Sequence, residues 1–274
     1  MKVYDKWLQW DLGRNCNLDC DYCFDSKKEF NSEYREINID AVMNFLRSSV
    51  YKYRIGLTGG EPFLIRNIIE FCEEVTTAGH IISINSNLLS PKLVEFERKI
   101  DPANVLFIHA SYHHRELEKF NRLEKYLLHY KLLEKSGFNI YAEAVLYPGD
   151  IGVLREVEIN LNNLGIKLKF APYIGRYEGD WYPDSYSDDL LRQFNIAPEI
   201  KEHFSQKGEI CNAGYSAAIV DPDGDVRVCF NYKEKLGNIT EAINWNEEPL
   251  ICQHKKCGCP LNKYDKELFD KFWR

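Results

Sequence analysis

The first 175 residues alternate short β-rich runs with amphipathic stretches of helical period, and this alternation constrains the fold more than any other feature. The β-rich runs carry Ile, Val, Phe, Tyr or Leu and end at polar residues or glycine, whereas the intervening stretches repeat apolar residues every three or four positions. The predicted strands are Trp7–Gly13, Arg54–Gly60, His80–Asn87, Val105–Tyr112, Phe138–Tyr147 and Ile166–Ile174. The predicted helices are Ile39–Tyr53, Asn67–Ala78, Pro91–Ile100, Leu117–Lys135 and Val153–Leu164.

Strand–helix–strand repeats pair their strands in parallel through right-handed crossovers. The sequence therefore predicts an α/β fold, specifically a partial (β/α)6 TIM-like barrel, with its functional site at the carboxyl ends of the strands. The pattern changes near residue 176, so we expect a barrel over residues 1–175 and a small hairpin-plus-helix extension over 176–274. The elements expected in the extension are a short helix, the two arms of a hairpin and a final helix: Asp188–Phe194, Tyr215–Val220, Val226–Phe230 and Asn262–Trp273.

Charge and hydropathy exclude several functions. The 35 Lys and Arg residues face 42 Asp and Glu, a net charge of −7, so no overall positive field favours a nucleic-acid partner. No apolar run approaches the roughly 18 residues that span a bilayer, and the first residues are charged, so we expect neither secretion nor a membrane and assign the chain to the cytoplasm. The nine cysteines cluster at residues 16–23 and 252–259, which indicates metal binding.

The segment CNLDCDYC carries Cys16, Cys20 and Cys23 directly after the first predicted strand. Three thiolates on one loop can hold three irons of a 4Fe-4S cluster and leave the fourth iron open to a small molecule. The alternative is a zinc site that takes its fourth ligand from a distant residue. The loop follows a strand at the edge where such a barrel places its active site, which favours the cluster.

Further motifs follow the next strands: LTGGEP after the second, INSN after the third and SYHH after the fourth. With CNLDCDYC, the first two make the chain resemble the radical S-adenosylmethionine enzymes, whose cysteine motif has an aromatic residue, here Tyr22, before the last cysteine. The resemblance implies that Gly59, Gly60 and Glu61 hold the amino group of S-adenosylmethionine. It further implies contacts of Ser86 and Asn87 with the cofactor ribose, and Ser111 and Glu143 are added as candidate cofactor contacts because the fourth and fifth strands can direct them to the barrel mouth.

Purely structural interpretations compete with these cofactor-binding roles. GGEP can be a plain turn, and the polar residues after the third strand can serve a helix amino terminus. His113 and His114 are interpreted as solvated loop residues, and Cys72 as a small core residue on a helical face.

The second cysteine group contains Cys211, Cys229, Cys252, Cys257 and Cys259. This region resembles the SPASM extension of radical S-adenosylmethionine enzymes in its shortened, single-cluster form, often called Twitch. The resemblance implies one auxiliary iron–sulfur cluster, a 4Fe-4S cluster, and a closed structural zinc site is the alternative. The favoured ligands are Cys211, Cys229, Cys257 and Cys259, with Cys252 as a substitute.

The resemblance also implies the reaction. Such an enzyme reductively cleaves S-adenosylmethionine to a 5′-deoxyadenosyl radical that abstracts hydrogen from a substrate carbon, and an auxiliary cluster assists a net oxidation, as in an oxidoreductase. Only six residues precede the first strand, which favours a small-molecule substrate over a ribosomal peptide, the alternative. The expected electron donor is a flavodoxin or a ferredoxin. A non-catalytic iron–sulfur or zinc protein is the alternative of another class.

Overall fold

The computed structural model describes residues 4–23, 29–30, 35–203, 207–232, 234–255 and 257. Their strands are β1 Lys6–Asp11, β2 Asn15–Cys16, β3 Glu29–Phe30, β4 Tyr53–Thr58, β5 Ile81–Ser86, β6 Val105–Ser111, β7 Ile140–Leu146, β8 Leu168–Pro172, β9 Gly175–Tyr177, β10 Asp180–Tyr182, β11 Ile210–Cys211, β12 Ala217–Val220, β13 Asp225–Arg227, β14 Lys235–Asn238 and β15 Leu250–Ile251. Their α-helices are α1 Ile39–Ser48, α2 Ile68–Thr77, α3 Lys92–Lys99, α4 His114–Lys119, α5 Leu123–Lys135, α6 Ile151–Asn163, α7 Asp188–Gln193 and α8 Ile200–His203. Short 3-10 turns lie at Pro62–Leu64, Pro102–Asn104 and Pro148–Asp150.

The main sheet has nine strands in the order β14-β13-β12-β1-β4-β5-β6-β7-β8. Strands β1 and β4 to β8 are parallel to their neighbours, and helices connect them. This arrangement confirms the predicted α/β fold with a mostly parallel sheet.

The two faces of this sheet differ in polarity. One face carries fully buried apolar side chains, among them Leu8, Ile55, Ile82 and Ile108, in a single core cluster with helix residues. The opposite face, called here the polar inner face, carries mostly polar side chains along the strands, among them Gln9, Asp11, Thr58, Asn85, His109, Ser111, Tyr141, Glu143 and Lys169. A polar face inside a curved parallel sheet is where a ligand can be held.

The predicted hairpin forms and extends the barrel sheet itself. Strand β12 pairs in parallel with β1, from Trp7 opposite Ala217 to Trp10 opposite Val220. Strands β13 and β14 then continue the sheet in antiparallel fashion. The buried core cluster is continuous across this junction.

A buried lysine stands at the same junction. The Lys6 ammonium lies 4.9 Å from the ring centroids of Tyr51, Tyr215 and Trp245, and it donates to the carbonyl of Tyr215 at 2.5 Å. We call this group the Lys6 cage. A desolvated cation over aromatic faces is stabilising, so the cage holds β1 against the segment that leads into β12.

Two predicted helices have different bounds. The first ends at Ser48 instead of Tyr53, because the chain turns there and Tyr53 opens β4. The predicted helix Leu117–Lys135 is two helices, α4 and α5, because Asn121 adopts a left-handed backbone conformation with φ of 50°.

Several other elements differ from the sequence-based expectations. Strand β8 is shorter than predicted, as is the second hairpin arm, and the pairs β9–β10 and β11–β15 were not anticipated. The predicted helix Asn262–Trp273 lies outside the described residues. Within the part of the chain that the structure describes, no helix has the length and apolarity needed to cross a membrane.

Candidate active site

The cysteine loop, residues 12–23, follows β1 and lies at its carboxyl edge. Leu18 is buried, and its backbone N–H points at the Cys16 sulfur, with 3.4 Å between N and Sγ. The N–H of Cys23 donates to the carbonyl of Cys20 at 3.2 Å. The loop is therefore a compact turn that carries all three cysteines, with an N–H directed at one sulfur, as is common for metal-bound thiolates.

The two glycines of GGEP pack directly on the backbone of this loop. A Cβ at Gly60 would lie 2.1 Å from the carbonyl oxygen of Asn15, and one at Gly59 would lie 2.7 Å from that of Gly13. The N–H of Gly60 donates to the Gly13 carbonyl at 2.7 Å, and the N–H of Glu61 donates to the Asn15 carbonyl at 2.9 Å. Glycine is required here so that the end of β4 can approach the cysteine loop.

The Glu61 carboxylate is only 3% exposed and joins the ends of β4 and β5. It accepts hydrogen bonds from the Asn87 N–H at 2.7 Å, the Ser86 hydroxyl at 2.8 Å and the Phe63 N–H at 3.1 Å. Burial raises the pKa of Glu61 to about 7, and these three hydrogen bonds oppose the rise. Both carboxylate oxygens thus contact the protein itself.

Ser86 and Asn87 are buried beside the same loop. The Ser86 hydroxyl, besides its bond to Glu61, accepts from the Leu88 N–H at 3.0 Å. The Asn87 side-chain amide donates to the Asn17 side chain at 2.7 Å and lies 3.9 Å from the Cys16 sulfur. Of the two residues, Asn87 is in contact with the cysteine loop, whereas Ser86 contacts Glu61.

Ser111 and Glu143 lie farther along the polar inner face, opposite each other in the β6–β7 register. Glu143 is buried, and its Oε1 lies 3.2 Å from Nε2 of His109. The His109 ring stacks on Tyr141 with centroids 5.2 Å apart, and the Lys169 ammonium lies 5.0 Å from the same Tyr141 ring. Burial lowers the pKa of Lys169, and the charge of Glu143 opposes this.

The sequence analysis missed His109 and Lys169. The available signal was strand periodicity, because His109 precedes Ser111 by two positions and so shares its face. Lys169 stands beside Glu143 only through the pairing of β7 with β8, which is a tertiary contact.

The interpretation of His113 as a solvated loop residue is wrong. Its Nδ1 lies 3.4 Å from the Cys20 sulfur and 3.1 Å from the Tyr22 hydroxyl, and its ring stacks on Tyr22. Tyr22 also contacts Tyr147, with ring centroids 5.1 Å apart. His114 is likewise half-buried and lies 3.4 Å from Glu118. His113 therefore belongs to the environment of the cysteine loop, whereas His114 pairs within its own helix.

The C-terminal cysteines form a second group. Cys211, Cys229 and Cys252 are buried, and Cys257 is partly buried. Burial raises the pKa of Cys211 to about 11, and the nearby charges of Cys252, Cys229 and Cys257 contribute to this. The favoured ligand Cys259 lies outside the described residues.

Backbone pairing explains why Cys252, the expected substitute ligand, joins this group. Its N–H donates to the Glu209 carbonyl at 2.9 Å, and its carbonyl accepts from the Gly208 N–H at 2.8 Å. In addition, the N–H of Ala213 points at the Cys211 sulfur at 3.5 Å. Among the described residues, no three His, Cys, Asp or Glu side chains approach closely enough to hold a single metal ion. Cys72 is fully buried in α2, which confirms its interpretation as a core residue.

The fold and the site together define a class: an α/β protein with a partial parallel barrel and a cysteine loop at the carboxyl edge of its strands. A family model described as the radical SAM superfamily, where SAM is S-adenosylmethionine, matches residues 10–151. The chain belongs to the radical SAM superfamily. Membership makes it an enzyme and implies S-adenosylmethionine and an iron–sulfur cluster as its cofactors.

Solved structures share this fold. Native anSMEcpe with bound AdoMet is 17% identical with a TM-score of 0.59, and the match covers 86% of this chain and 79% of that one. Streptococcus suis SuiB bound to precursor peptide SuiA is 16% identical with a TM-score of 0.61, and the match covers 89% of this chain and 65% of SuiB. No curated protein sequence matches the chain.

Proposed function

We propose that this enzyme reductively cleaves S-adenosylmethionine to methionine and a 5′-deoxyadenosyl radical, which abstracts hydrogen from a substrate carbon. The observation that carries the proposal is the direct packing of GGEP on the cysteine loop, through Gly60 N–H to Gly13 and Glu61 N–H to Asn15. A cysteine loop and a strand end that share backbone hydrogen bonds can hold a metal centre and its ligand at one place.

The residues present fit a cluster with one open iron. Cys16, Cys20 and Cys23 supply three thiols, and the Leu18 N–H is directed at the first of them. When bound there, a 4Fe-4S cluster supplies the electron that splits S-adenosylmethionine. In this proposal the chain orients the cofactor through Tyr22 and the end of β4 on one side of the site.

Four polar side chains at the other strand ends complete the proposed cofactor contacts: Ser86, Asn87, Ser111 and Glu143. Glu61 contributes by holding the ends of β4 and β5 together, since its carboxylate accepts three hydrogen bonds from the chain. The glycines contribute by letting the cysteine loop approach. In this proposal the main function of the Glu61 carboxylate is to hold the two strand ends together, and direct contact with the cofactor ammonium is secondary.

The polar inner face supports a substrate site below the cofactor. At its amino end, the buried Arg54 guanidinium lies 4.3 Å from the Trp7 ring centroid and 4.9 Å from that of Phe107, and it donates to the Ser83 hydroxyl at 3.0 Å. These side chains fill the amino end and exclude water from it. A substrate radical would then react within the protein rather than with solvent.

We further propose an auxiliary 4Fe-4S cluster in a Twitch-like extension over residues 176–274, with the barrel over 1–175. The proximity of Cys211, Cys229, Cys252 and Cys257 supports this ligand set, in which Cys252 takes the place first assigned to Cys259. Such a cluster could accept an electron from the substrate radical, so that a small molecule is dehydrogenated or gains a new bond. A flavodoxin or a ferredoxin would supply the reducing electron.

A peptide substrate is the second candidate. Two proteins with this fold have structures with peptides, SuiB with precursor peptide SuiA and anSMEcpe with the Cp18Cys peptide. In this chain, the Tyr147 ring packs edge to face against Tyr173 and Tyr177, with centroids 5.2 Å apart in each pair. These rings lie beside the cysteine loop and would line one side of a site for a side chain of the peptide.

The test is anaerobic reconstitution with iron and sulfide, followed by S-adenosylmethionine and dithionite. We expect about eight irons per chain and 5′-deoxyadenosine in the products. Replacing Cys16, Cys20 and Cys23 together by alanine should abolish 5′-deoxyadenosine and retain the auxiliary iron, and Cys72→Ala should change neither. Bound zinc without 5′-deoxyadenosine would contradict the proposal.

A further inference from the structure

We propose that α4 and its flanking residues act as a clasp that positions the cysteine loop, with Glu116 and Arg122 as its main positioning residues. The clasp is defined as His113, Arg115, Glu116 and Arg122, the side chains of the segment after β6 that contact the cysteine loop. The inference rests on the proposed function, because it concerns how the loop receives its cluster.

Two side chains of the clasp hold the loop backbone between Cys16 and Cys20. Glu116 Oε2 accepts the N–H of Asp19 at 2.8 Å. Arg122 Nη1 donates to the carbonyl of Asn17 at 3.0 Å. One residue presents an acceptor to an N–H and the other presents a donor to a carbonyl. Together they fix the direction of the chain that leads from the first thiol to the second.

Burial distinguishes Glu116 from its neighbours on the same helix. The Glu116 side chain is 7% exposed, whereas that of Glu118, two positions later, is 68% exposed. Besides the Asp19 N–H, the Glu116 carboxylate meets the Lys119 ammonium at 3.6 Å. A carboxylate loses hydration free energy on burial, and a short charge-assisted hydrogen bond to a backbone N–H offsets that loss. The buried position is therefore explained by the contact with the loop.

The clasp also contacts the second half of the loop. His113 lies next to the Cys20 sulfur, as described above. Arg115 Nη1 lies 3.5 Å from the Asp21 carboxylate. The same guanidinium pairs with the Asp150 carboxylate and donates to the Gly149 carbonyl. Arg115 thus ties the loop to the turn after β7.

The helix break at Asn121 makes this geometry possible. A continuous helix over 117–135 would carry Arg122 away along the helix axis. Instead, the left-handed Asn121 ends α4, and the N–H of Arg122 donates to the Leu117 carbonyl at 2.8 Å, which turns the chain back toward the loop. Helix α4, which the sequence pattern did not separate from α5, is therefore the helix that contacts the cysteine loop.

The test compares Glu116→Ala, Glu116→Gln and Glu118→Ala in the full chain, reconstituted with iron and sulfide. The readout is the EPR signal of the reduced protein that changes when S-adenosylmethionine is added, because that signal reports only a cluster with an open iron. Its decay is followed after addition of a ferrous chelator. We expect decay roughly tenfold faster in Glu116→Ala, because the Asp19 N–H loses its acceptor. Glu116→Gln retains an amide oxygen and should stay within about threefold of wild type, and Glu118→Ala should match wild type.

Decay of Glu116→Ala at the wild-type rate, with equal iron content, would overturn the clasp and leave the proposed function standing. A wild-type protein that shows no cofactor-sensitive signal would overturn both. If circular dichroism shows that Glu116→Ala does not fold, Arg122→Ala decides, with the exposed Arg98→Ala as its control. Unchanged decay in folded Arg122→Ala would then refute the inference.

Discussion

Replacing Glu61 by alanine tests whether this carboxylate works mainly on the protein or on the cofactor. The substitution removes the acceptor of two buried backbone N–H groups, those of Asn87 and Phe63, and also the acceptor of the rotatable Ser86 hydroxyl. Each orphaned buried N–H costs about 1 to 3 kcal/mol, so the free energy of unfolding should fall by about 4 kcal/mol. At about 2.1 cal/mol/K per residue of unfolding entropy, this lowers the melting temperature of the chain by about 7 °C.

The assay is urea and thermal unfolding of the metal-free chain at about pH 4.5, well below the raised pKa of Glu61 and near its ordinary pKa, where proton uptake on folding costs little. The exposed Glu36, which pairs with Arg66 at 2.9 Å, provides the control, and Glu36→Ala should change stability by less than about 1 kcal/mol. The reasoning is refuted if Glu61→Ala unfolds like wild type while the reconstituted variant binds S-adenosylmethionine more weakly. That result would assign the carboxylate to the cofactor ammonium.

Three further predictions concern pH, the Lys6 cage and the glycine contact. The Glu61 carboxyl takes up a proton on folding between pH 4.5 and about 7, so its contribution to stability should be greatest below pH 4.5 and fall by about 3 kcal/mol as the pH rises to 7. Urea titrations that show the same pH slope in Glu61→Gln would contradict this. Lys6→Met should lower the free energy of unfolding by about 3 kcal/mol, against less than about 0.5 kcal/mol for the exposed Lys52→Met; equal urea midpoints would rule out a stabilising cage. Gly60→Ala, whose Cβ would meet the cysteine loop, should lose the cofactor-sensitive EPR signal, whereas Gly152→Ala, with open space around it, should keep it.

The sequence was sufficient to predict the barrel strands because each is a short apolar run followed by a helix of clear period. It failed at Ser48 because Val50 and Tyr51 continue the apolar pattern although they are exposed. It also failed at Asn121, where one residue with positive φ divides a periodic stretch. Hydrophobic periodicity alone cannot reveal such a break. The only local signal is that asparagine adopts the left-handed backbone conformation more readily than most residues.

The site was predicted unevenly for a similar reason. The cysteines and GGEP could be found because they are contiguous motifs at predicted strand ends. Glu116 and Arg122 could not be found in this way, because both look like ordinary polar positions of a helix and reach the loop only through tertiary contact. The choice between Cys252 and its neighbours likewise depends on the pairing of β11 with β15.

The parallel pairing of β1 with β12 has a consequence for the order in which the chain folds. These partners are separated by about 200 residues, and closing so long a loop is slow compared with forming a βα unit. During synthesis, β1 can pair with β4 early, whereas its other edge stays open until residues 217–220 have left the ribosome. An unpaired strand edge is a template for association with other chains. Release of a nascent chain at any point before β12 would therefore leave β1, an interior strand of the finished sheet, as an exposed edge. Truncation near residue 176 should accordingly favour aggregation over a stable isolated barrel.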